Sequence, residues 1–160
     1  MFLKKQLAMK YWFLRLVIFL TLNFGALAIG ALFTGKGVPS SWYQELNKAP
    51  WTPPGWVFGV VWSSIMIFLS IFMTKVTSTG FNKNIVWIYA IQLILNVIWN
   101  PIFFHYHQMG FGLIIISTLT LVVFSMMLLS WSNGNYLFLT PYLIWLIIAT
   151  SLNYYSWAYN

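Results

Sequence analysis

The 160-residue sequence contains no cysteine and a single acidic side chain, Glu45. The first absence excludes disulfides, thiolate metal sites and a cysteine nucleophile. The second excludes paired-carboxylate acid–base chemistry and any carboxylate-rich metal cage. Charge of either sign is scarce, at 6% of residues, against about 25% in an average soluble domain. So few charges cannot cover the surface of a soluble domain. Disorder is excluded as well, because it requires low hydrophobicity and 61% of this chain is apolar. What remains is a chain whose outer surface faces lipid.

The formal charge is +7, yet the basic residues form no patch of the kind that binds nucleic acid. Lys4, Lys5, Lys10, Arg15, Lys36, Lys48, Lys75 and Lys83 flank apolar runs, which is where lysines mark membrane boundaries. The uncharged gaps count the spans. There are 20 residues between Arg15 and Lys36, 26 between Lys48 and Lys75, and 77 after Lys83. A helix needs about 20 residues to cross the hydrocarbon core. The first two gaps hold one span each and the third holds three, with breaks at His105-Tyr106-His107-Gln108 and Ser132-Asn133-Gly134-Asn135. The expectation is an all-α integral membrane protein, a five-helix bundle forming one membrane domain over 1–160. Its spans fall at about 11–33, 55–74, 84–104, 111–131 and 138–158, with a long first loop at 34–54. The first apolar run is too long for a cleaved signal peptide, whose apolar region is about 7–15 residues. Six basic residues lie on the side of the N-terminus and two on the other, which places the N-terminus in the cytoplasm.

The first loop is stiff. Pro50-Trp51-Thr52-Pro53-Pro54 cannot be regular helix, since proline removes a donor and pushes the residue before it toward extended geometry. Trp51 is thereby presented at the membrane edge. It is one of ten tryptophans. Trp12, Trp56, Trp87, Trp131 and Trp157 fall near span ends, as an interfacial belt requires. Trp62 and Trp145 lie inside spans, and both plain packing and a pocket wall stay open for them. In the third span Tyr89, Gln92, Asn96, Trp99 and Phe103 share one face at spacings of three and four. Gln92 and Asn96 need partners at bilayer depth, supplied either by other helices or by a ligand. Asn100-Pro101 loosens that helix near its end. The fifth span repeats the pattern with Phe138, Tyr142, Trp145, Ala149 and Asn153. Ala26 and Gly30 form a small-residue pair for helix contact in the first. His105 and His107 read as loop histidines, because no third metal ligand lies nearby. No nucleophile–base pattern, phosphate loop or metal motif is present, and no charge deep in a span serves ion-coupled transport.

The stretch Trp42-Tyr43-Gln44-Glu45-Leu46-Asn47-Lys48-Ala49-Pro50-Trp51-Thr52-Pro53-Pro54 resembles a signature of the translocator protein (tryptophan-rich sensory protein) family. The resemblance continues through Val57-Phe58-Gly59 and Trp62, and through Gln92-Leu93-Ile94-Leu95-Asn96 with Trp99-Asn100-Pro101-Ile102-Phe103-Phe104. It also covers Gln108-Met109-Gly110, Pro141-Tyr142-Leu143-Ile144-Trp145 and Leu152-Asn153-Tyr154. It implies a five-helix bundle, commonly a homodimer, in the bacterial cell membrane, with a pocket capped by the first loop. The implied ligands are tetrapyrroles such as protoporphyrin IX, other hydrophobic molecules, and drug-like isoquinoline carboxamides. No resident cofactor or metal is implied. Carried over by motif, the ligand-binding residues are Trp51, Phe58, Trp62, Asn96, Trp99, Phe111, Trp145, Ala149 and Leu152. Phe111 stands where many members have tryptophan. Sterol recognition is unsupported, because no basic residue follows Tyr154 or Tyr155.

A porphyrin is a flat apolar disc with two anionic arms. Aromatic walls suit the disc, and Lys36 or Lys48 suits the arms. Light-driven degradation of protoporphyrin needs no catalytic triad, and Trp51 and Trp145 are the candidate indoles for it. Three functions are open: a tetrapyrrole-binding sensor with light-dependent chemistry, a tetrapyrrole or lipid transporter without chemistry, and a regulatory interaction protein.

Overall fold

The computed structural model describes residues 2–79 and 83–160, with side chains at all of these except 2–5 and 133. Lys4 and Lys5, which enter the charge asymmetry, therefore carry side chains outside the described set. Five helices are long and apolar enough to cross a membrane. They are α1 (Phe2–Gly37), α3 (Gly55–Thr79), α4 (Lys83–Phe104), α5 (Met109–Leu129) and α6 (Thr140–Ala158), with a short α2 (Ser41–Glu45) between the first two. No strand occurs among the described residues. The chain is an all-α integral membrane protein.

Helix α1 packs on α3 and α4, α5 packs between α4 and α6, and α6 meets α3 mainly through the 3₁₀ turn Asn135–Leu139. One end of the bundle holds α2 and the α4–α5 hairpin, and is here called the lid end. The other holds the start of α1 and the end of α3.

Three helix limits differ from the sequence expectation by more than three residues: both ends of α1, and the end of α3, which runs past Lys75 to Thr79. α1 has 36 residues, or about 54 Å at 1.5 Å per residue, against about 30 Å of hydrocarbon. Its opening turns run past the bundle, and residues 6–11 are all exposed. Arg15 Nη1 marks the edge, donating to Ser78 Oγ at 3.1 Å near the end of α3. Charge limits what a bilayer accepts, not what a helix accepts, and Lys, Gln, Leu and Met are good helix formers. At the other end α1 continues to Gly37, so the connection to α3 is shorter than 34–54 and contains α2. Ser40 caps α2, its Oγ accepting from Tyr43 N–H at 3.3 Å. The two expected breaks are turns, marked by left-handed backbone at His107 (φ 55) and Gly134 (φ 66).

The core fills the half of the bundle away from the lid. Ile65, Met66, Leu69, Phe72 and Met73 of α3 pack there with Ile116, Leu119, Val123 and Met126 of α5 and with Leu139, Tyr142 and Leu146. Polar pairs cross this core. Asn23 Nδ2 donates to Ser70 Oγ at 2.8 Å, and Tyr89 Oη donates to Asn23 Oδ1 at 2.9 Å, joining α1, α3 and α4. Gln92 Nε2 donates to Tyr142 Oη at 2.8 Å, joining α4 to α6.

Near the lid, α1 approaches α4 through glycine. A Cβ at Gly30 would lie 2.6 Å from Asn100 Nδ2, and one at Gly37 would lie 2.5 Å from Phe104 Cβ. Gly37→Ala therefore forces backbone apart, at a cost of about 1–3 kcal/mol. A lowered thermal unfolding midpoint in detergent is the expected result. Gly25→Ala, whose Cβ meets nothing within 4 Å, should leave the midpoint in place.

Candidate functional site

The lid half of the bundle is hollow. It contains a cavity of about 570 Å³, inside the range of about 300–1,000 Å³ typical of small-molecule sites. The hollow follows from residue size along α3. Gly55, Gly59 and Ser63 stand at four-residue spacing on the cavity wall, where the core half of the same helix carries Met66, Leu69 and Met73. A Cβ at Gly55 or Gly59 would meet nothing within 4 Å.

Aromatic rings line the space. Phe58 and Trp62 come from α3, and Trp99, Phe103 and Phe104 from α4. α1 adds Leu27, Ala31 and Thr34, α6 adds Leu152, Asn153 and Ser156, and the connection between α1 and α3 adds Val38, Tyr43, Lys48, Thr52 and Pro53. These rings are held by contacts within the protein. Trp99 stacks on Phe103 at 5.2 Å and donates through Nε1 to Asn153 Oδ1 at 2.9 Å. Phe58 meets Trp145 edge-on at 5.3 Å, and Trp62 meets Tyr142 edge-on at 5.9 Å, so both wall rings rest on the core half. Asn100 secures the α1–α4 side, accepting from Thr34 Oγ1 at 2.8 Å.

The lid rests on α4 through Trp42 against Phe103 and Tyr43 against Phe104, and three further contacts fasten it to the hairpin and to α6. Trp42 stacks on His107 of the α4–α5 hairpin at 4.0 Å and 12°. Trp51 donates from Nε1 to Ser151 Oγ at 3.1 Å and lies edge-on to Tyr155 at 5.5 Å. Asn160 Oδ1 accepts from Asn47 N–H at 2.8 Å, while its Nδ2 donates to Asn47 O at 3.3 Å. Inside the lid the Lys48 ammonium sits 4.6 Å above the Tyr43 ring. Burial raises the Tyr43 phenol above its ordinary pKa, so it stays neutral throughout the physiological range.

Four of the nine binding residues expected from sequence line the cavity: Phe58, Trp62, Trp99 and Leu152. The other five stand elsewhere. Trp51 is 54% exposed on the outer surface of α6, and its neighbours Thr52 and Pro53 face the cavity instead. Phe111 is 63% exposed on α5. Asn96 and Trp145 are buried, and Trp145 lies behind Phe58. Ala149 packs against the core. Of the two indoles nominated for photochemistry, then, neither is a wall residue, whereas Trp62 and Trp99 are. Sequence reasoning passed over the whole contribution of α1, although Leu27, Ala31 and Thr34 carry helical spacing. His107 serves the lid stack, and no group of three metal-ligating side chains occurs among the described residues.

Comparison with known proteins agrees with this architecture. A model of the TspO/MBR family matches residues 17–158. The chain is 34% identical over 139 residues to Protein CrtK of Rhodobacter capsulatus, covering 83% of this chain and 84% of that protein. It is 33% identical over 127 residues to the tryptophan-rich sensory protein of Cereibacter sphaeroides, covering 76% and 78%. It is 35% identical over 140 residues to the translocator protein of Bos taurus, covering 82% of each.

The Asn160 contact is a lid fastening and not a core element. Asn160→Ala removes exposed hydrogen bonds worth about 1 kcal/mol in net terms. Amide exchange around Asn47 should rise about fivefold, with the thermal unfolding midpoint nearly unchanged.

Proposed function

The chain belongs to the TspO/MBR family, and we propose that it is a membrane receptor that senses a hydrophobic small molecule by enclosing it in the lidded cavity. The proposed ligands are tetrapyrroles such as protoporphyrin IX, with isoquinoline carboxamides as a second class. One observation carries this reading: a cavity of about 570 Å³ whose wall combines Phe58, Trp62, Trp99, Phe103 and Phe104 with a few polar groups. Flat aromatic walls bury a macrocycle by stacking and edge contacts. The relatives named as a sensory protein and a translocator protein support the same reading. Among the three functions open from sequence, the packed core half favours a receptor over a transporter, since buried side chains of α3, α5 and α6 fill the space beyond the cavity.

In the proposed arrangement the protein is a homodimer in a bacterial cell membrane. The N-terminus and the end of α3 face the cytoplasm and the lid faces outward. Lys10, Arg15, Lys75 and Lys83 gather at the cytoplasmic end in accord with the positive-inside rule.

A second reading adds chemistry to binding. Two indoles stand in the wall, and a third, Trp145, touches the wall ring Phe58 edge-on. In this reading a bound porphyrin excited by light passes its energy to dioxygen, and the singlet oxygen formed adds both its atoms across a double bond of the macrocycle or of a nearby indole, with the wall indole Trp99 and Trp145 behind Phe58 within reach and the exposed Trp51 outside it. Trp99→Phe and Trp145→Phe should then slow photoproduct formation more than they weaken binding in the dark, and Trp51→Phe should leave it unchanged. Equal photodegradation in the Trp99 and Trp145 variants and the parent removes this second reading and leaves the receptor.

The receptor reading is tested by titrating purified protein in the dark with protoporphyrin IX, following tryptophan quenching and the porphyrin absorption band together. Saturable binding near one porphyrin per chain is expected. Gly59→Leu projects a side chain into the empty space beside that glycine. It should weaken binding by tenfold or more, on the order of 1.4 kcal/mol, without lowering the unfolding midpoint. Quenching that does not saturate, and is the same in Gly59→Leu and for a tryptophan ester in the same detergent, shows partitioning and rejects the site.

A further inference from the structure

Among the described residues, Lys48 is the one charged side chain in the cavity wall. It is half-buried and reaches the space from the lid, opposite walls that are otherwise apolar or neutral. The partner that the structure gives its ammonium is a ring face, not a carboxylate: Nζ lies 4.6 Å over the centre of Tyr43. Tyr43 is in turn seated against the wall ring Phe104 at 5.4 Å. The Lys48 charge is thereby placed before a ligand enters. Lys36, the other basic residue near the lid, is exposed at the end of α1 and is not part of the wall. Glu45, the chain's one acid, is exposed on α2 and is not part of it either.

A cation held at the edge of a low-dielectric cavity without a counter-charge favours an anion there more strongly than the same cation in water. A ring face solvates it only in part, and a carboxylate adds a charge-assisted hydrogen bond. Elsewhere in the wall the polar side chains Thr34, Thr52, Asn153 and Ser156 are neutral and already donate within the protein.

We infer that Lys48 is a specificity-determining residue that reads a carboxylate on the edge of the bound molecule, so that the cavity selects anionic flat hydrophobes over their neutral esters. This rests on the receptor reading above and narrows its ligand class. In position the apolar body lies between Phe58, Trp62 and Trp99, and the carboxylate points to the lid.

The test uses the full chain in phosphatidylcholine nanodiscs, titrated in the dark with protoporphyrin IX and with its dimethyl ester. The parent protein should bind the diacid roughly tenfold more tightly than the ester. Lys48→Met should abolish most of that preference by weakening the diacid several-fold more than the ester, and Lys48→Arg should keep it. Adding phosphatidylglycerol should weaken the diacid in the parent alone if a lipid headgroup reaches the same ammonium. That result supports the anion subsite, with lipid as a competitor. Equal affinity for acid and ester in the parent overturns the inference while leaving the receptor reading intact. So does an equal loss of both ligands in Lys48→Met, which assigns Lys48 a structural role through Tyr43. If neither compound binds saturably to the parent, the tetrapyrrole reading fails and the inference falls with it.

Discussion

No water reaches the interior of a bilayer, so every polar side chain buried among these helices must find its partner within the bundle. That constraint organises this protein more than apolar packing does, since lipid tails are as apolar as the leucines and give no drive for one helix to prefer another. Most hydroxyls satisfy it locally. Ser70 bonds back to Met66 O, Thr74 to Ser70 O, Thr120 to Ile116 O and Ser125 to Leu121 O, and these commit no helix to a neighbour. The amides cannot do so fully, and they select the pairings. Asn23 requires both Ser70 and Tyr89, which fixes α1 against α3 and α4 at one level, and Gln92 requires Tyr142, which brings α6 inward.

With the far half fixed in this way, the lid half is free to be hollow. Near the lid the helices are held by devices that keep them at set positions without filling the space between them. Gly30 and Gly37 bring α1 onto α4 on one flank. The Trp99–Asn153 bond ties α4 to α6 across the middle, and the lid rests on the hairpin and on α6. Small residues on α3 leave the space, and aromatic rings braced from below keep it open. Solid half and hollow half depend on each other, because Phe58 and Trp62 can stand in the wall only while Trp145 and Tyr142 stand in the packing beneath.

The spans were legible because they depend on one variable, the distance between charges. The buried face of α4 was legible because Tyr89, Gln92, Asn96 and Phe103 fall at helical spacing, and all four are buried. Spacing gives a face but not a depth or a rotation against the neighbour. It could not show that Trp99 reaches the cavity while Asn96, one turn earlier on the same face, stays in packing. Nor could it place Trp51, whose partner Ser151 lies 100 residues away in the sequence. α1 gave the weakest signal: only 11% of its most apolar stretch is buried, so an almost uniformly apolar helix concealed the three residues that enter the wall.

The pairing rule breaks in a particular region. Gln92 Oε1, Thr140 Oγ1 and Trp145 Nε1 are buried without a hydrogen-bond partner, and each such atom costs about 1–3 kcal/mol. Two of the three adjoin the plane where the solid half gives way to the hollow one. Trp145 supports Phe58, and Gln92 bonds the Tyr142 that supports Trp62. Gln92 and Trp145 keep these unpaired atoms while doing other work, Gln92 through its bond to Tyr142 and Trp145 through its contact with Phe58. Sequences break local rules mainly where a site imposes its own demands. Trp145 and the Gln92–Tyr142 pair stand next to the two wall rings Phe58 and Trp62, so two of the three exceptions to the pairing rule adjoin the cavity wall.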